Sequence, residues 1–269
     1  MALIVLLVLV ILLALGALSF AGQYDRLAVV PVEVARFGAR YSVAPSASAD
    51  VLVARYLTRH RSYRYGGGII GFVAAIVIAV VRPGPFRLGI GFVDFPDILV
   101  CTLGGVLAGV VVAESYHLRR RAVPGALVSL EPRDVARFAD PSGIARIRLC
   151  VAVSIVAFAA AGPHDDGSAI ACVVLSVVVA VMVDVEQRMI ARRPRPALPV
   201  DLQAADDAIR RATCSVALNH AGQGVTMLLL GSQLTAQSAG SVVELVGLLN
   251  LGLFIGAIVA WRRSRVWTA

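Results

Sequence analysis

The sequence contains no lysine at all, so its 25 basic residues are all arginine. A P-loop nucleotide site, which needs a lysine on the phosphates, is thereby excluded. Cysteine is scarce: Cys101, Cys150, Cys172 and Cys214 all fall inside or at the ends of apolar runs. They form no C-x-x-C pair, so neither a disulfide framework nor a cysteine-rich metal site is expected, and each reads as a small buried hydrophobe. H-E-x-x-H and G-x-S-x-G are also missing, which removes the commonest zinc-hydrolase and serine-hydrolase signatures. Charge is low as well, at 16% of residues against the ~25% usual in a soluble domain.

What is present is apolar. Hydrophobic residues make up 58% of the 269 and mean hydropathy is +0.82. A single soluble core cannot hide that much apolar surface, and a hydrocarbon-spanning helix needs roughly 17 to 25 such residues in a row. Seven runs qualify or nearly so: 2–21, 66–81, 95–113, 147–162, 169–185, 212–231 and 240–260. The expected fold is therefore all-α, a polytopic membrane bundle of about seven transmembrane helices in one domain. The fourth and fifth runs are separated only by Pro163 to Ser168, so a five-span alternative with that pair as a re-entrant hairpin is open.

Orientation follows from the arginines. Twenty-three of the 25 lie in connectors 22–65, 114–146 and 186–211, at the adjoining Arg148, or in the tail after 260; the alternate loops hold only Arg82 and Arg87. The positive-inside rule makes the arginine-rich side cytoplasmic. Seven crossings then put the N-terminus outside and the C-terminus inside, in a cell membrane. The first run lacks the positively charged start of a signal peptide and is expected to stay as a helix. The net charge of +8 points to anionic lipid rather than nucleic acid, because the arginines sit between apolar runs. A cytoplasmic protein is the second candidate partner.

The connectors carry helical signals of their own. Pro31-Val-Glu-Val-Ala-Arg-Phe37 recurs as Pro132-Arg-Asp-Val-Ala-Arg-Phe138, with a thinner echo at Pro199-Val-Asp-Leu202. Proline at a first helical position, an acid two residues on and arginine at the far end predict short cytoplasmic helices. Residues 50–63 gather Leu52, Val53, Tyr56, Leu57 and Tyr63 toward one face. Two readings fit, a basic amphipathic helix on the membrane surface or a solvated helix feeding the second span. In 201–211, Asp206 with Arg210 and Asp207 with Arg211 are i, i+4 pairs on a helix expected to run into the sixth span.

The stretch Arg192-Arg-Pro-Arg-Pro-Ala-Leu-Pro-Val-Asp-Leu-Gln-Ala-Ala-Asp-Asp-Ala-Ile-Arg210, following a first helix and an Arg- and Tyr-rich linker, resembles uncharacterised multi-spanning membrane proteins of actinobacteria. The resemblance implies a plasma-membrane protein working beside a transport system, and it carries no site residue.

Four features could bear chemistry. Gly66, Gly68 and Gly71 fit G-x-G-x-x-G, but no strand precedes them, so close helix packing is the better reading. Gly67 with Gly71, Gly105 with Gly109 and Gly252 with Gly256 form G-x-x-x-G pairs of the kind that let helix backbones approach. His164-Asp165-Asp166 reads as a solvated turn. Asp94, Asp97, Glu114, Asp184 and Glu186 fall near span ends and read as boundary residues. The sixth span stands out: Ser215, Asn219, Gln223 and Thr226 recur on one helical face with His220 beside it. Amides unpaired in hydrocarbon cost several kcal/mol, so this stripe must face protein or water. Asn250 at matching depth and Glu244 nearer the outside are its candidate partners on the seventh span. The stripe is either a polar pathway or hydrogen-bonding glue. No catalytic, cofactor or metal residue is identified. The expectation is a non-enzymatic component of, or accessory to, a transport system, with a structural or anchoring membrane protein as the alternative.

Overall fold

The computed structural model describes residues 29–81, 95–118, 135–161, 167–193, 198–237 and 243–264. The expected first span, the His164-Asp165-Asp166 turn and Asp94 lie outside the described residues, as do the side chains of Asp97, Glu244 and Asn250. Among the described residues the protein is all helical. The elements are α1 (Pro31–Tyr41), α2 (Ala47–Val81), α3 (Phe95–Leu118), a 3-10 turn (Val135–Arg137), α4 (Pro141–Ala161), α5 (Gly167–Arg192), α6 (Val200–Arg211), a π-helical segment (Ala212–Leu218), α7 (Asn219–Gln237) and α8 (Val243–Ser264).

Local chemistry sets several boundaries. α1 begins with Pro31 at its first position, and the Glu33 carboxylate accepts the backbone N–H of Val30 at 3.3 Å, which closes the first turn. It ends at Ser42, in the left-handed region at φ 56°. α4 begins after Asp140, whose carboxylate accepts both the backbone N–H and the hydroxyl of Ser142 at 3.1 and 2.7 Å. The hydrogen bond from that hydroxyl, more than any other cause, holds the Asp140 carboxyl below its usual range. Of the second copy, the described residues begin with the 3-10 turn Val135–Arg137, and Phe37 and Phe138, the equivalent ends of the two copies, are both buried.

α2 is one continuous helix of 35 residues that joins the 50–63 stretch to the apolar run 66–81 without a break. Its first half packs against α1 and α6: Val53, Tyr56 and Leu57 are buried with Val34, Phe37, Ala205 and Ile209. The apolar face of 50–63 is thus covered by protein. Neither the membrane-surface reading nor the solvated one describes it, because α1 and α6 supply an apolar layer that the periodicity of 50–63 cannot announce.

The outer half of α2 crosses α3 at glycine. A methyl group on Gly67 would overlap the Gly105 carbonyl, one on Gly71 the Cys101 carbonyl, and one on Gly109 the Tyr63 carbonyl. Two of the three G-x-x-x-G pairs therefore meet each other in backbone contact, as small-residue crossings do. The third pair does not behave so: Gly256 abuts the Met227 sulfur and Gly252 has nothing within 4 Å among the described residues.

α6, the π segment and α7 follow one another without interruption from Val200 to Gln237, and α7 is the hub, packed against α3, α4, α5 and α8. Two helices, Pro141–Ala161 and Ala169–Arg192, are long and apolar enough to cross a membrane. At ~1.5 Å per residue each is about as long as a hydrocarbon layer is thick. Their outward faces carry large apolar side chains, among them Leu149 at 63% and Val156 at 66% exposure.

Candidate functional site

The polar side chains of the interior collect around the π segment. A π turn widens the helix by one residue and loosens its regular hydrogen-bond ladder, which is why such turns accompany special sites. Here Gln187 of α5 answers the loosened ladder: its Nε2 donates to the Cys214 carbonyl at 3.0 Å and to Asn219 Oδ1 at 2.6 Å. Gln187 and Asn219 are both fully buried, so these bonds replace the water that neither group can reach.

The rest of the expected stripe is engaged in the same way. Ser215 Oγ donates to the Phe138 carbonyl at 2.9 Å, and Asn219 Nδ2 to the Asp140 carbonyl at 3.2 Å. Gln223 Oε1 accepts from Arg146 Nε at 3.1 Å, while its Nε2 faces the Met227 sulfur at 3.9 Å. Thr226 Oγ1 donates back to the Gly222 carbonyl at 3.0 Å. His220 is partly buried at the edge of the stripe. Farther along α7, Gln233 and Ser154 of α4 hydrogen-bond each other, and Gln233 Nε2 also donates to the Ser154 carbonyl at 2.8 Å. The partners come from α4, α5 and the turn before α4. The expected partners on the last helix, Glu244 and Asn250, have side chains outside the described residues.

Near the start of the π segment lies a second network, built around Glu114, which the sequence had read as a boundary residue. Glu114 is only 2% exposed. Its Oε1 lies 2.6 Å from His60 Nε2 and its Oε2 3.6 Å from Arg193 Nη1. Arg193 Nη2 continues to Asp206 Oδ1 at 2.9 Å, and Asp206 Oδ2 accepts from Arg210 Nε at 2.8 Å. Arg210 Nη1 then donates to the carbonyls of Ile190 and Arg193 at 3.0 and 3.2 Å, capping the C-terminus of α5, whose last carbonyls have no partner within the helix. Glu186 is buried too, at 4%, while Asp184 pairs with the exposed Arg188 at 2.7 Å. Asp206 and Arg210 pair as expected; Asp207 reaches Arg137 of the 3-10 turn at 2.9 Å.

Compared with protein families, curated proteins and solved structures, the chain matches none.

Aromatic and hydroxyl groups complete the cluster. The Tyr56 hydroxyl lies 2.7 Å from Thr213 Oγ1, whose own proton is directed to the Ile209 carbonyl at 3.1 Å, so Tyr56 is the donor. The Tyr56 ring sits 4.3 Å from that of His60. Burial pushes the Tyr56 hydroxyl well above its usual range. Burial also lowers the His60 imidazole, against the opposing pull of the Glu114 hydrogen bond. A neutral His60 donating from Nε2 to Glu114 follows, with Arg193 supplying the compensating charge. One signal in the sequence could have found His60: it lies seven residues after Val53 and four after Tyr56, on the buried face of α2. Among the described residues no group of three His, Cys, Asp or Glu side chains could hold a metal ion. The arrangement is a chain of polar and charged groups that ties α2, α3, α5 and α6 together.

Proposed function

We propose that the chain is a bundle of about seven membrane-crossing helices in the cell membrane, N-terminus outside, and a non-enzymatic accessory component of a transport system with no pathway of its own. The observation that carries the reading is the engagement of the central helix: Ser215, Asn219, Gln223 and Thr226 each spend their polar atoms on neighbours within the chain. Groups so committed hold helices together and offer no row of free ligands to a passing solute. Support for the bundle is the 23 to 2 division of arginines between alternate connectors and the outward apolar faces of α4 and α5. Support for the transport setting is the resemblance carried by Arg192 to Arg210. The inner layer of α1, α6 and the first half of α2, tied by Arg61 to Glu33 at 2.7 Å, is the surface a cytoplasmic partner would meet.

The test is thiol accessibility in membranes. Cysteines at Ser215, Asn219 and Thr226, in a background without the native ones, are expected to resist a small aqueous reagent as firmly as cysteines at Leu228 and Leu229. Reaction along the stripe alone would replace the accessory reading with that of a permease. A photo-cross-linker at Val200, exposed at the start of α6, is expected to capture a cytoplasmic subunit of a transporter. Capture of partners with no transport role would favour the anchoring alternative.

A further inference from the structure

A cavity of about 620 Å³ lies between the α2–α3 pair and the α7–α8 pair. α2 packs on α3, α3 on α7 and α7 on α8, whereas α2 and α8 make at most a slight contact. On α2 the lining runs from His60 to Phe72 and beyond His60 to Tyr56. The twelve residues from His60 to Phe72 rise about 18 Å, so the space is a slot along the helix. Most of its wall is apolar, with Ile69, Phe72, Leu99, Leu103 and Ile258 among the lining residues. One polar group on this wall stands apart. His60 is only 5% exposed; its Nε2 is committed to Glu114 at 2.6 Å, and its Nδ1 has no hydrogen-bond partner. Because the Glu114 carboxylate accepts, Nε2 carries the ring proton and Nδ1 is left as an acceptor. A buried acceptor without a donor is costly and calls for one.

We infer that this slot binds an uncharged lipid alcohol, its hydroxyl donating to His60 Nδ1 and its hydrocarbon lying along Ile69, Phe72 and Leu103. The inference rests on the membrane-bundle reading only for the supply of lipid, through the gap between α2 and α8. The chemistry of the occupant follows from the acceptor and its surroundings. A lone pair on Nδ1 needs a donor, which a carboxylate or a fully ionised phosphate ester lacks. A cationic donor is disfavoured by Arg262 at the same end of the slot, where Arg61 is already paired with Glu33 at 2.7 Å. A neutral hydroxyl meets both conditions. The rest of the molecule is set by the wall: a small soluble alcohol would leave the apolar side chains uncovered, whereas a hydrocarbon body buries them and draws its affinity from that burial. The volume lies within the range of small-molecule sites.

The test uses the full chain purified in mild detergent. Alkaline extraction of its membranes is run separately, and release by alkali would remove the bundle reading without touching the binding measurement. Native mass spectrometry titrates dioctanoylglycerol and geranylgeraniol, and beside each the methyl ether of its hydroxyl. The alcohols are expected to bind about tenfold tighter than their ethers, and the tighter of the two alcohols identifies the skeleton as glyceride or isoprenoid. This comparison needs no variant. Leu99→Trp and Ile258→Trp, which fill the slot from α3 and α8, are each expected to weaken binding about tenfold, while Leu149→Trp on the exposed face of α4 leaves it unchanged. The nitrogen NMR signal of His60 Nδ1, assigned by its loss in His60→Gln, is expected to move on addition of the alcohol and to stay in place with the ether. Absence of binding, equal binding of alcohol and ether, an unmoved nitrogen signal, or full affinity in both tryptophan variants would overturn the proposal. So would disulfide formation between Phe72→Cys and a cysteine at Leu7 or Ile11, since the chain's own N-terminal run would then fill the slot.

Discussion

His60 Nε2 and Glu114 Oε1, 54 residues apart in sequence, lie 2.6 Å apart in the interior and join α2 to α3 at the inner end of their crossing. The contact continues through Arg193 to Asp206 and Arg210.

The contact makes stability depend on acidity. Burial holds the His60 imidazole below its usual range, so below pH ~6.5 the unfolded chain takes up a proton that the folded chain refuses. This contribution is complete above ~6.5 and declines as pH falls toward the folded value. The melting temperature in detergent is expected to drop from pH 7 to 5, and His60→Gln, which retains a donor toward Glu114, to flatten that slope. Asp140 and Asp201, whose carboxyls are lowered chiefly by the hydroxyls of Ser142 and Ser48, lose their contributions only below ~4. An unaltered slope in the variant would assign the acid loss to other groups.

Asp206 stands between two arginines, 2.9 Å from Arg193 and 2.8 Å from Arg210. Asp206→Asn keeps the shape and removes the charge, leaving the buried Arg210 and the partly buried Arg193 without it. Breaking such a network costs about 3 to 5 kcal/mol, against well under 1 kcal/mol for removing the exposed Arg188 partner of Asp184. Chemical denaturation of the two variants side by side reads the difference; equal losses would mean that the inner network carries no special weight.

The glycine crossing predicts a pattern by position. Gly67→Leu or Gly105→Leu would drive a side chain into the opposing backbone, at a cost of roughly 1 to 3 kcal/mol or more. Gly66→Ala and Gly104→Ala meet nothing within 4 Å and are expected to be neutral or slightly stabilising, since alanine is the better helix former. Thermal shift of the four variants checks this, and a large loss at Gly66 would point to a contact outside the described residues.

Gln187 is expected to matter more than any single member of the stripe. Gln187→Leu leaves the Cys214 carbonyl and Asn219 Oδ1 without its two hydrogen bonds, at about 1 to 3 kcal/mol for buried groups left unmade. Asn219→Leu in the same chain should then cost less than its separate effect, because one partner is already gone. Strict additivity of the two losses would argue that they do not form a unit.

Topology can be measured directly. Single cysteines at Ser168 and Ser238 are expected to label with an impermeant thiol reagent from outside, and those at Ser62 and Ser142 only after the membrane is opened. The reverse pattern would invert the bundle, against the arginine division.

The sequence alone determined what depends on neighbours along the chain. The apolar runs and arginine-rich connectors, the helix at 31–41 with proline at its start, the passage of 201–211 into the sixth run, and the glycine spacing of Gly67, Gly71, Gly105 and Gly109 are all properties of short windows, where helical period and backbone bulk decide. Tertiary structure alone decided who faces whom. Glu114 and Glu186 look like boundary residues until His60, Arg193 and the inner end of α6 close over the bundle. The stripe on α7 could be aligned with the last helix by depth, yet Gln187, Arg146 and the carbonyls before α4 are the groups it meets. The physical reason is that a buried amide or carboxylate needs a partner of the right geometry, and that partner comes from a helix tens of residues away whose rotation is fixed by the packing of all its faces at once.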